Sequence, residues 1–179
     1  PRPINWSPSY TLASKIPFGC YVLYNELASI FPHNDIETVE ENIYDVLVDR
    51  DTSTAANYIL INDFIYLDEQ ETNQLLKFVD EGNQVFIATS NLTGKLADTL
   101  NITIEQRYDI KEDSTKASFT NTHFNEEAFY FERGVNPAYL TSIDTAKTEI
   151  LGHIHVKSST LLNNTPNEIK ISPNFIKTS

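Results

Sequence analysis

The sequence contains no methionine and a single cysteine in 179 residues. A lone thiol, Cys20, excludes an intrachain disulfide and any metal site built on several cysteines, so cysteine usage does not fix the redox compartment. No run approaches the ~18 consecutive apolar residues that a membrane-spanning helix requires. No basic segment leads into an apolar stretch, so no secretory signal is read. With no methionine and Pro1 as first residue, the expectation is a soluble piece trimmed from a longer gene product, with any signal or anchor outside these residues. Basic residues are also scarce, and 13 Lys and Arg against 25 Asp and Glu give a formal charge of −12. That field repels phosphate backbones and anionic lipid headgroups, which argues against DNA, RNA or a bare membrane surface as partner. Cations, neutral sugars, peptides and basic proteins stay open, and an acidic surface also serves solubility alone.

The chain does hold material for a packed interior, since 40% of its residues are apolar and 11% aromatic. Its length suits one domain spanning residues 1–179. Ile4-Asn5-Trp6 reads as a first short strand broken by Pro8. Pro17 followed by Phe18, Tyr21, Val22, Leu23, Leu27, Ile30 and Phe31 at three-four spacing predicts a helix over 17–31, stopped by Pro32. Over 35–48 a strand and a helix fit equally. The continuous apolar run from Asn57 to Ile61 predicts a strand buried on both faces, as in a parallel sheet.

A capping box, Asp68 with Glu71, then opens a helix whose stripe is Leu75, Leu76 and Val79 and which Gly82 ends. Gln84–Ala88 is a second buried strand, so 57–88 reads as a right-handed strand-helix-strand unit with parallel strands. Leu92, Leu96, Ala97 and Leu100 suggest a short helix, and Ile102-Thr103-Ile104 a strand. The polar stretch from Asp109 to Thr115 reads as a loop. Beyond it, 128–131 and 148–156 alternate as strands. The expected fold is therefore α/β, with a mainly parallel central sheet and a β-rich C-terminal extension.

Ligands of an open parallel sheet bind beyond the carboxyl ends of its strands, where loops and helix N-termini converge. That rule nominates Asn62, Asp63, Thr89, Ser90 and Asn91 as crevice residues, with Asp63 able to act as a base or hold a cation. The same residue types also end strands and cap helices. Ser90, between strand and helix, invites comparison with a nucleophile elbow, but the glycines that allow the tight turn are missing on both sides. Cys20 falls in the first turns of the 17–31 helix, where a dipole lowers a thiol pKa, yet it equally suits a small buried hydrophobe. His153 and His155, two apart in a strand, point to one face and supply two metal ligands, with His123 or an acid as a third. Such a pair is also ordinary on a solvent face. Phe124, Phe129, Tyr130, Phe131 and Tyr139, interleaved with Glu126, Glu127 and Glu132, form either a carbohydrate or protein contact surface or one face of the core.

The run from Ser14 to Tyr24, Leu27, Phe31-Pro32, Asn57–Ile61, Leu67-Asp68-Glu69 and Gly82–Ala88 resembles a bacterial domain-of-unknown-function family. That family in turn looks like a branch of the class I glutamine amidotransferase-like, or ThuA-like, superfamily. The resemblance implies a flavodoxin-like three-layer sandwich and a cell-envelope domain flanked by membrane segments, with a cytoplasmic location as the alternative. Such amidotransferases carry a cysteine at the elbow and a later His-Glu pair. Here that turn reads Thr89-Ser90-Asn91 and no His-x-Glu follows, so the catalytic set is absent and no cofactor is implied. The expected role is a non-catalytic domain that binds a small molecule, glycan or protein. The alternatives are a sugar-directed hydrolase or isomerase, and a contact module of a transport or assembly complex.

Overall fold

The computed structural model describes residues 3–51, 53–106, 112–120, 128–131, 138–158 and 169–178. They fall in two compact units, Pro1–Thr89 and Ser90–Ser179. The first contains α1 (Tyr21–Ile30), α2 (Ile43–Val48), β1 (Asn57–Ile61), β2 (Phe64–Tyr66), α3 (Glu69–Asp80) and β3 (Gln84–Ala88). The second contains β4 (Asn91–Thr93), α4 (Lys95–Leu100), β5 (Thr103–Gln106), β6 (Glu112–Phe119), β7 (Ala128–Phe131), β8 (Ala138–Ser142), β9 (Thr148–Ser158) and β10 (Ile169–Thr178).

Residues 4–6 form no strand, and Trp6 and Tyr10 instead set their rings against Phe18, with centroids 6.4 and 6.2 Å away. α1 begins four residues later than its apolar spacing predicts. The amides just before it are tied back to an upstream turn, Cys20 N–H to the Thr11 carbonyl at 3.0 Å and Tyr21 N–H to that of Ser14 at 3.3 Å. A Cβ on Gly19 would collide with the Ser14 carbonyl, so the turn depends on glycine there.

The strand-helix-strand unit is present. Asp68 Oδ1 accepts the Glu71 amide at 2.8 Å and Glu71 Oε2 accepts the Asp68 amide at 2.9 Å, closing the capping box on α3. Thr72, Leu75 and Phe78 are its buried residues, a stripe displaced from the predicted Leu76 and Val79. β1 and β3 pair in parallel, from Asn57 opposite Gln84 to Ile61 opposite Ala88. Tyr58 meets the Phe78 ring edge-on at 6.4 Å, so the face carrying Tyr58, Leu60, Val85 and Ile87 is turned to α3. On the opposite face Ile59 is 37% and Phe86 59% exposed.

That exposure corrects the sequence expectation. A doubly wound sheet covers both faces of its strands, whereas here one apolar face of the parallel pair is open and the pair has two strands. Every strand pairing within the second unit is antiparallel: β5 with β8, and the four-stranded order β10-β9-β6-β7. The architecture is strand-rich, with short helices and small, split, mostly antiparallel sheets, and the flavodoxin-like three-layer sandwich is overturned. The β-rich C-terminal third is observed, and the polar residues from Glu112 onward, read as loop, belong to β6. Among the described residues β10 ends the four-stranded order, and its register shifts around Pro173 and Phe175, where proline's missing N–H is tolerated.

Candidate functional site

At the carboxyl end of β1, the Asn62 amide prolongs the ladder by donating to the Ala88 carbonyl at 3.1 Å. The Asn62 side-chain oxygen accepts the Asp63 amide at 2.8 Å, and the Thr89 hydroxyl donates to the Asp63 carbonyl at 3.0 Å. Asn62, Asp63 and Thr89 are thus brought together, but two of the three side chains serve backbone groups at the strand ends. Tyr10, which sequence reasoning missed, is within reach of the Asp63 charge. Burial first, then the charge of Asp63 and then Cys20, pushes its phenol pKa up. Tyr10 also holds a left-handed backbone (φ 51°), uncommon for an aromatic residue. Cys20 is buried, and that burial raises its thiol pKa, the opposite of an activated nucleophile.

In the second unit the Ser90 carbonyl accepts from Gln106 Nε2 at 3.3 Å, and Asn91 opens β4. The histidines have different company. In register, Lys116 of β6 lies opposite His155 of β9 and opposite Tyr130 of β7, while Ser118 lies opposite His153 and Ala128. Period-two alternation therefore puts Lys116, Ser118, Tyr130, His153 and His155 on one face of the sheet. Ser118 Oγ and His155 Nε2 share a hydrogen bond of 3.0 Å. Lys116 Nζ stands 5.9 Å from the centre of the Tyr130 ring, which is 72% exposed. Burial, then the Lys116 ammonium and His153, hold the His155 imidazole below the usual histidine range, so it is neutral near pH ~7.

The serine that meets a histidine is therefore Ser118, not the nominated Ser90. Its signal in sequence was the alternation of 116 and 118 opposite 153 and 155, which becomes readable only once the register is known. For the metal candidates, no group of three or more His, Cys, Asp or Glu side chains converges among the described residues. Lys116 beside the His153/His155 pair is unfavourable to a bound cation. His123, Phe124, Glu126, Glu127 and Glu132 lie outside the described residues. Of the remaining aromatics, Phe129 packs edge-on against Phe119 at 6.1 Å on the face opposite Tyr130, and Phe131 shares that side. Tyr139 belongs to the β5–β8 pair, where its hydroxyl donates to Glu105 Oε2 at 3.1 Å.

Fold and site together define a strand-rich protein of two units with a mixed polar and aromatic sheet face. Residues 13–166 match the family described as Domain of unknown function (DUF4350), and the chain belongs to that family. No curated protein and no solved structure matches the chain. No helix among the described residues is long and apolar enough to cross a membrane.

Proposed function

We propose that this domain is a non-catalytic binding module of a bacterial cell-envelope protein, and that its ligand face is the one carrying Lys116, Ser118, Tyr130, His153 and His155. The observation that carries the reading is that convergence. An exposed ring offers a stacking platform, and hydroxyl, imidazole and ammonium groups beside it offer directional polar contacts. The feature that supports an origin within the amidotransferase-like superfamily is the parallel β1-α3-β3 unit. In the turn after it, Thr89-Ser90-Asn91 stands where the nucleophile is kept, which fits loss of glutaminase chemistry.

A thermal-shift screen of saccharides and small metabolites tests the reading. A ligand at 100 times its dissociation constant adds ~2.7 kcal/mol to native stability. At least one compound should stabilise the parent chain and lose its effect in Tyr130→Ala and Ser118→Ala. Stabilisers acting equally on parent and variants would place binding elsewhere. The hydrogen bond between Ser118 and His155 favours a second reading, hydrolysis, with Ser118 as nucleophile and His155 as base. Labelling by a fluorophosphonate that Ser118→Ala abolishes would establish it over the first.

A further inference from the structure

We propose that the β6–β7–β9 face takes an anionic group, a carboxylate or phosphate on a small ligand, held by Lys116 and His153 with Ser118 as hydrogen-bond partner. The inference rests on the binding reading above and names its ligand class.

The chain as a whole is acidic, yet the residues that meet Lys116 and Ser118 in register are not, the nearest acids along β6 being Asp113 and Glu112. The positions in register with Lys116 and Ser118 are Tyr130 and Ala128 on β7 and His155 and His153 on β9, none of them acidic. On the far side of β9, β10 places Ile171 opposite His155 and Pro173 opposite His153. Along the same face of β9 the nearest acid is Glu149, four residues from His153, which is roughly 13 Å of extended chain. Lys116 pairs with no carboxylate among the described residues, and its neighbour is the face of an exposed ring. The His153 ring has no hydrogen-bond partner among the described residues.

The electrostatics agree with the geometry. The charged groups that act on His155, Lys116 and His153, both disfavour a further positive charge beside them. Burial, the largest influence on His155, penalises a charge of either sign, so it is the Lys116 ammonium and His153 that favour an anion here. Ser118, already oriented by His155, supplies a short polar contact to an anion resting on Lys116. By linkage, a bound anion must raise the His155 pKa, an effect that a merely structural serine–histidine pair would not produce.

The test follows the histidine ring resonances of the full chain by NMR during titration with inorganic phosphate and, in a separate arm, sodium acetate, both at ionic strength fixed with chloride. Expected are saturable shifts of His153 and His155, an unmoved His33, and an upward-shifted His155 titration. Lys116→Gln should weaken the response about tenfold, whereas Lys116→Arg restores it. Tighter binding of phosphate than acetate assigns a phosphate-bearing ligand, and the reverse a carboxylate. Absence of a saturable shift with either anion, or an unchanged response in a folded Lys116→Gln, would overturn the inference. If a neutral saccharide then moves the same resonances, the binding reading survives and the anion class falls. If anions and saccharides are both silent, both fall.

Discussion

Asn83 is buried at the junction of α3 and β3, where its side chain does the work of three neighbours. Its oxygen accepts the Ala56 amide at 2.8 Å and meets the Arg50 guanidinium at 3.4 Å, while its Nδ2 donates to the Phe78 carbonyl at 2.8 Å. Arg50 also lies over the Phe78 ring, 5.1 Å from its centre. Truncation leaves a backbone donor and a backbone acceptor without these partners in a poorly hydrated place. Asn83→Ala should therefore lower stability by about 2 to 3 kcal/mol, read as a fall in the urea midpoint. Thr148 is the opposite case, because its hydroxyl is buried with no hydrogen-bond partner among the described residues. Valine keeps the shape and removes the desolvated oxygen, so Thr148→Val should raise stability by about 1 kcal/mol. A lowered midpoint in that variant would reveal a partner beyond the described residues.

Among the elements, legibility follows sequence distance. The capping box on α3 was readable because Asp68 and Glu71 are three residues apart and share one turn. The start of α1 was not, because Pro17 and the apolar spacing suit a helix while the amides of Cys20 and Tyr21 are claimed by Thr11 and Ser14. The site was the least legible part: it depends on the register that sets β6 against β9, and alternation in each strand alone does not fix that register. The β6–β9 pairing also sets a pH dependence. Burial, then Lys116 and His153, hold the His155 pKa below the usual histidine range in the native chain, so as pH falls through that range the unfolded chain binds more protons and stability drops. Denaturation midpoints taken from about pH 7 down to about pH 5 should show this decline, and His155→Gln should flatten it. Equal slopes in parent and variant would count against the neutral native imidazole.

For the molecule as a whole, the decisive quantity was which apolar surfaces are covered, and composition does not carry that information. Ile59 and Phe86 belong to runs as apolar as any strand of a doubly wound sheet, yet both are substantially exposed. Phe86→Ser should accordingly change stability by less than about 1 kcal/mol, against the 3 to 5 kcal/mol typical of truncating a fully buried phenylalanine. A loss in the larger range, measured by urea denaturation at several protein concentrations, would mean that the face is covered in solution. The arrangement of the second unit also has a consequence in time. Ser118 and His155 are 37 residues apart, whereas the capping box of α3 closes over three. Closing the longer loop carries the larger entropic cost and yields no contacts until β6 and β9 have met. In pulsed hydrogen exchange during refolding, the amides of α3 should gain protection before those of β6, so the candidate ligand face is a late arrival, completed only after the helix has formed.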